Sequence, residues 1–105
     1  MDVLLRIKRL AARDRLRFTR KAIEEMARDC LTRDDIAEAI LNAPAIDKTL
    51  RSRSPDRAHA GERLYVITSP TYDGTLIYTK GKIVRYARQE YFYVLVSSKI
   101  ATYED

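Results

Sequence analysis

The sequence predicts an α+β domain in which N-terminal helices pack on a twisted, mainly antiparallel β-sheet. Two observations predict it. Apolar residues recur at helical spacing from Val3 to Ala43, with charged residues between them. From Glu62 to Ile100, runs rich in β-branched and aromatic residues are separated by turn signals, as in consecutive antiparallel strands. A chain of 105 residues suits a single hydrophobic core, so we expect one domain over residues 1–105.

The first two elements are predicted to be an amphipathic helix and a short strand. Asp2 suits the N-cap of the helix, whose buried stripe should contain Val3, Leu4, Ile7, Leu10 and Ala11. Its outer side is basic, which fits either a nucleic-acid contact or a solvated helix face, and the solvated face is the simpler interpretation. The segment Leu16 to Thr19 alternates and predicts an edge strand.

Two further helices follow, each with a capping signal. Thr19 is the expected N-cap of the second helix. Its predicted buried stripe is Ala22, Ile23, Met26, Ala27 and Cys30, and its predicted outward residues are Glu24, Glu25, Arg28 and Asp29. We therefore expect the lone cysteine to be a buried thiol. Thr32 and Asp35 have the spacing of a capping box, and the third helix should bury Ile36, Ala39, Ile40 and Ala43.

The second half of the chain predicts four strands and a basic loop. Ile46 to Arg51 alternates, as in a strand with one buried face, and RSRSPDRAHAGER lacks periodicity, as in a loop. Leu64–Thr68 and Leu76–Lys80 flank a turn that contains an Asp-Gly pair. Tyr91 to Ser97 is so continuously apolar that we expect it to be the central strand, covered on both faces.

Composition and the absence of common motifs limit the classes of function that this protein can have. A net charge of +5 favours a polyanionic partner, either nucleic acid or an acidic protein. The sequence has no Gly-rich phosphate loop, no zinc-ligand cluster and no Gly-x-Ser-x-Gly, so we expect no metal and no cofactor. His59 is the only histidine, which excludes a two-histidine acid–base pair. The chain contains no continuous apolar run of the kind found in signal peptides or membrane spans, so we expect a cytoplasmic protein.

The remaining candidate groups are lysine, arginine, tyrosine and glutamate, and this set can cleave RNA without a metal. The 2′-hydroxyl of the substrate attacks the adjacent phosphorus, so the protein must hold the phosphate, neutralise its growing charge and transfer protons. Tyrosine can act as acid or base if neighbouring cations lower its pKa from about 10. Tyrosine rings also stack on the bases of single-stranded RNA.

The order of short motifs resembles the MqsR-type toxins, which are mRNA interferases of bacterial toxin–antitoxin pairs with a RelE-like fold. These motifs are RFTRKA, Asp-Lys-Thr-Leu, Leu-Tyr, Gly-x-x-Ile-Tyr-x-Lys and Val-Leu-Val-Ser-x-Lys, collinear from about Leu4 to Ile100. The resemblance implies a metal-independent endoribonuclease that cleaves single-stranded mRNA without the ribosome. It also implies a cognate antitoxin as a partner.

Carried over by motif, the resemblance implies catalytic roles for Lys48, Tyr78 and Lys99. The sequence departs from the family pattern at two positions near these residues. Glu62 or Arg63 stands where the family has a glutamine, which makes Glu62 a possible site residue. Asp47 replaces the tyrosine that precedes the first lysine in the family, and the resemblance implies that this change shifts base preference.

Further residues are candidates for RNA contacts. The predicted phosphate-binding cations are Arg51, Arg53, Arg57, Arg63 and Lys80, and His59 is a possible titrating group in the loop. A second hypothesis stays open: a non-catalytic module with the same RelE-like fold that only binds nucleic acid or an acidic protein partner.

Overall fold

The computed structural model describes residues 2–52, 61–86 and 90–102. The helices are α1 (Val3–Ala12), α2 (Arg20–Arg28) and α3 (Arg33–Asn42). The strands are β1 (Leu16–Phe18), β2 (Lys48–Arg51), β3 (Arg63–Pro70), β4 (Leu76–Tyr86) and β5 (Glu90–Ile100). The predicted α+β class with N-terminal helices is confirmed. No helix within these described ranges is long and apolar enough to cross a membrane.

The five strands form one mixed sheet in the order β1-β5-β4-β3-β2. The pairings β2–β3, β3–β4 and β4–β5 are antiparallel, and β1 adds to β5 in parallel. The central strand is therefore β4, and the prediction that Tyr91–Ser97 forms it was wrong. The apolar run in β5 has another cause: β1 pairs with its first half, and α2 lies along its second half.

The hydrophobic core lies between α1, α3 and one face of the sheet, which we call the helix face. The fully buried core residues from the helices and this face include Ile7, Ile36, Ile40, Ile67, Ile77, Tyr93 and Leu95. Tyr93 lies across the backbone of Gly81, where a Cβ atom would be 2.6 Å from Cζ of the tyrosine ring. Only glycine fits at that position of β4 without moving the ring.

The predicted helix caps are present. The carboxylate of Asp2 accepts a hydrogen bond from Leu4 N, and the hydroxyl of Thr19 accepts one from Ala22 N. The Thr32–Asp35 capping box is complete, with hydrogen bonds in both directions. These contacts satisfy backbone donors that have no partner within the first turn of a helix.

The predicted buried face of α2 was wrong in part. Glu25, expected to face solvent, is buried, and Ile23, expected in the core, is 54% exposed. The reason is that α2 lies along the open edge of β5. The Glu25 carboxylate accepts hydrogen bonds from Ser97 Oγ (2.9 Å) and Ser98 N (3.0 Å), and Asp29 accepts one from Ile100 N (2.9 Å). An uncovered strand edge needs such acceptors for its backbone N–H groups.

Two smaller predictions were also wrong. Cys30 is an exposed free thiol in the turn after α2, with φ of 56°, because the helix ends before it and the residue leaves the apolar stripe. The strand β2 has no buried face, since all four of its residues are exposed. Among the described residues β2 is the outermost strand and pairs only with β3, and Leu50 is 37% exposed.

Candidate nucleic-acid interface and catalytic site

The side of the sheet opposite α1 and α3 carries the candidate catalytic residues, and we call it the open face. Residues paired directly across an antiparallel ladder point to the same face. One cross-strand row contains Lys48, Val66, Lys80 and Ser97, and the next contains Thr68, Tyr78 and Lys99. The structure thus brings the three predicted catalytic residues and Lys80 onto one face.

Tyr78 and Lys99 form the centre of this face. They lie directly opposite each other in the β4–β5 ladder, and the Lys99 ammonium is 5.5 Å from the centroid of the Tyr78 ring. This is a cation–π distance. Both side chains are half-buried and line an open cavity of about 370 Å³ together with Thr68, Ala101 and Thr102. A solvent-exposed ligand can therefore reach a phenol hydroxyl and an ammonium at the same place.

The pKa of Tyr78 is raised above its usual value, first by burial and second by the negative charge of Glu25. The lowering of the pKa by neighbouring cations, which was considered as a condition for tyrosine chemistry, is not found at Tyr78. The Lys99 ammonium lies over the ring, whereas the Glu25 carboxylate adds an opposing negative charge on the same side of the sheet. Tyr78 therefore keeps its proton at neutral pH, and the raised pKa makes its phenol a weaker acid than an ordinary tyrosine.

Glu25 is the site residue that the sequence reasoning missed. The residue is 7% exposed, and its carboxylate accepts a hydrogen bond from Ser97, whose partner in the β4–β5 ladder is Lys80. A signal was present: Glu25 lies three residues after Ala22 and one before Met26, both buried, so helical geometry places all three on the same side. Periodicity could not show that this side of α2 packs along the edge of β5.

Lys48 lies at the margin of the site rather than at its centre. Lys48 is on β2, two strands from Tyr78 on β4, and belongs to the neighbouring cross-strand row. Standard strand spacings put the two Cα atoms about 12 Å apart. The side chain is exposed, so it can contact a neighbouring phosphate. Asp47 accepts a hydrogen bond from Thr68 N at 2.6 Å, which ties the start of β2 to the row of Tyr78.

An arginine–aromatic cluster, also missed by the sequence reasoning, occupies the other end of the open face. Tyr86 and Phe92 pack edge to face with ring centroids 5.4 Å apart. The Arg17 guanidinium lies 4.5 Å from the Phe92 centroid and 5.0 Å from that of Tyr86. The alternation of side chains along β1 puts Arg17 on the other face of the sheet from Leu16 and Phe18. Its aromatic partners, however, depend on the pairing of β1 with β5, which is distant in sequence. Such groups offer stacking surfaces for bases.

Several predicted RNA-binding residues are not brought to this centre. Arg51 and Arg63 pair with each other at the alternate ladder position, so they belong to the opposite side of the sheet. Glu62 forms an ion pair with Lys82, with 3.0 Å between Oε1 and Nζ. The predictions for Arg53, Arg57 and His59 lie outside the described residues.

No metal-ligand cluster of three or more His, Cys, Asp or Glu occurs among the residues that the structure describes. Comparison of the chain with protein-family models, with curated proteins and with solved structures gives no match.

Proposed function

We propose that the chain is a metal-independent endoribonuclease that cleaves single-stranded RNA through attack of the substrate 2′-hydroxyl. The observation that carries the proposal is the contact of Lys99 with Tyr78 on a face where Lys48 and Lys80 add positive charge. A proton donor beside a cation, both lining an open cavity, supplies two of the functions that phosphoryl transfer without a metal needs.

Each group has a role in the proposed reaction. The 2′-oxygen bonds to phosphorus while the bond from phosphorus to the 5′-oxygen breaks, which leaves a 2′,3′-cyclic phosphate. Tyr78 gives its proton to the departing 5′-oxygen, and the proton of the 2′-hydroxyl passes to solvent. Lys99 stabilises the negative charge that grows on the phosphate oxygens, and Lys80 and Lys48 hold the phosphates on either side. Tyr78 is protonated at neutral pH, which is the form that this role requires.

The biological setting is proposed from the resemblance to MqsR-type toxins. In this setting the protein is a toxin that cleaves mRNA in the cytoplasm without the ribosome and arrests growth. A cognate antitoxin binds it and neutralises its activity. The RelE-like character of the fold belongs to the same proposal.

The test is cleavage of an unstructured RNA by the purified protein in the presence of EDTA. We expect fragments with 2′,3′-cyclic phosphate ends, and loss of these fragments with Tyr78→Phe and with Lys99→Ala. Intact RNA under these conditions, together with unimpaired growth of cells that express the protein, would rule the proposal out.

A second candidate function is a non-catalytic module with the same RelE-like fold that binds nucleic acid or an acidic protein partner. The stacked Arg17, Tyr86 and Phe92 favour nucleic acid as the ligand, because they place aromatic rings on which bases can stack beside a positive charge. This function predicts salt-sensitive retention of RNA without cleavage.

A further inference from the structure

A groove rich in arginine runs along α1 on the helix face of the sheet, away from Tyr78 and Lys99. Two cavities, of about 290 Å³ and about 220 Å³, adjoin there and share the side chains of Arg6 and Tyr91 as walls. We call this feature the arginine groove and define it by Arg6, Arg9, Arg13, Arg63, Arg85 and Tyr91.

The charge of the groove is almost entirely positive. Among the residues that the structure describes, the one carboxylate that lines it belongs to Glu62, which is paired with Lys82 at 3.0 Å. Within the described part of the chain, none of the five groove arginines has an ion pair with a carboxylate. The C-terminal end of the α1 dipole favours Arg9 and Arg13, but it does not account for Arg63 and Arg85, which come from strands. Repulsion among these cations opposes the folded state, and a bound anion would relieve it.

The geometry of the groove suits phosphate next to a ring. The Arg6 guanidinium lies 5.5 Å from the centroid of the Tyr91 ring, at the wall common to both cavities. A guanidinium binds two phosphate oxygens at once through its planar fork of donors. A half-buried tyrosine ring beside it offers a surface on which a base can stack.

We propose that the arginine groove is a second phosphate-binding site, which holds single-stranded RNA on the side of the sheet opposite to the candidate catalytic centre. The inference rests on the proposed function only in taking RNA as the ligand, and it holds for a binding module as well as for a nuclease.

The experiment measures binding of a fluorescent 2′-O-methyl oligouridine, which lacks the free 2′-hydroxyl and stays intact. We compare the parent with Arg6→Gln/Arg85→Gln and with a matched control, Arg20→Gln/Lys21→Gln, which removes the same charge from exposed positions of α2. The groove variant should lose about tenfold in affinity, and its slope of log K against log salt should be smaller by about 1.4, since each contact with a single strand contributes about 0.7. The control variant should change by less than about twofold, and thermal unfolding should show that all three proteins are folded.

Three outcomes would overturn the inference. They are unchanged affinity of the groove variant, equal weakening by both variants, and equal competition by an oligoglutamate of the same charge, which would identify an acidic polypeptide as the ligand. RNA cleavage by the parent separates this inference from the proposed function. If RNA is cut but the groove variant binds like the parent, only the groove inference fails. If RNA stays intact while the groove variant loses affinity, only the proposed nuclease fails.

Discussion

The ammonium of Lys99 lies 5.5 Å from the centroid of the Tyr78 ring, and strand pairing sets this arrangement, because the two residues are direct partners in the β4–β5 ladder. A site built on two paired strands is held more rigidly than one built on loops. The cross-strand neighbours Thr68 and Lys80 are positioned by the same ladders. The chemistry proposed for this face therefore depends on a few side chains that can be tested one at a time.

Tyr78→Phe and Lys99→Ala are the most direct tests of that chemistry. Removal of the phenol hydroxyl should lower the cleavage rate by about 10²- to 10⁴-fold, the usual contribution of a general acid. Removal of the ammonium should lower it by about 10²- to 10³-fold, as for other groups that stabilise transition-state charge. The measurement is single-turnover cleavage of a labelled RNA in EDTA.

Matched controls are available elsewhere in the chain. Tyr72→Phe makes the same chemical change at a ring that is 75% exposed, and Lys21→Ala removes an exposed ammonium from α2. Neither should alter the rate by more than about twofold, since surface changes of this kind have small effects. A Tyr78→Phe protein as active as the parent would exclude the tyrosine as the acid.

Glu25 makes a second prediction, on the pH dependence of cleavage. Burial raises the pKa of Tyr78 most, and the Glu25 carboxylate raises it further. Because the protonated phenol is the active form, the rate should hold through neutral pH and fall as pH rises through this raised pKa. Glu25→Gln removes the negative charge, so the alkaline fall should move to lower pH. The measurement is a pH profile of kcat/KM beside a titration of tyrosinate absorbance.

A control variant distinguishes the effect of the Glu25 charge from the effect of losing its hydrogen bond. Ser97→Ala removes the hydrogen bond between Ser97 Oγ and Glu25 at 2.9 Å but keeps the carboxylate, so its alkaline fall should stay near that of the parent. If Glu25→Gln leaves the profile in place, or if Ser97→Ala shifts it as far, the electrostatic role of Glu25 is wrong.

The open face illustrates how much of the site follows from sequence. Side chains alternate along a strand, so the spacing of Tyr78 and Lys80 places both on one face, and the hairpin between β4 and β5 brings Lys99 to the same side. The direct pairing of Lys99 with Tyr78 also depends on the register shift between Lys80 and Gly81, which sequence periodicity does not show. Local periodicity did predict the capping box and the buried stripe of α3, because these depend on residues three or four apart.

Several of the failures share one physical cause: they depend on neighbours that are distant in sequence. Periodicity could not show that α2 lies along the edge of β5, where Glu25 and Asp29 bond to residues more than seventy positions away. Periodicity also could not show that Arg17 pairs with Val94 in a parallel ladder, so the contact of Arg17 with Phe92 could not be predicted. Arg51 lies on the opposite face of the sheet from Lys48, because side chains alternate along β2.

Gly81 makes a third prediction, on stability. A Cβ at this position would lie 2.6 Å from Tyr93 Cζ and 2.9 Å from Cε2, and the ring is fully buried. Gly81→Ala should therefore lower the free energy of unfolding by about 1–3 kcal/mol, the usual cost of overpacking a core. Urea unfolding measures this change. In a Tyr93→Leu background the added methyl has room, so its cost should shrink, whereas an equal cost in both backgrounds would show that the ring is not the obstacle.

Asp29 makes the last prediction, on acid stability. Its pKa is lowered, first by the hydrogen bond from Ile100 N and second by the one from the Arg28 side chain. The unfolded chain binds a proton at this carboxyl near pH 3.9, whereas the folded chain binds it only at lower pH. The stabilisation is thus complete above the unfolded pKa and is lost as pH falls through the folded one.

Asp29→Ala should lower the free energy of unfolding by about 1 kcal/mol at neutral pH, because it leaves a strand-edge donor without its acceptor. It should also flatten the loss of stability below about pH 4, since the linked proton is gone. Glu24→Ala, on the exposed side of the same helix, is the control and should change neither quantity appreciably. Urea unfolding from pH 7 to pH 2 measures both. Parallel curves for the parent and Asp29→Ala in acid would mean that the contact of Asp29 with Ile100 does not stabilise the edge of β5 in solution.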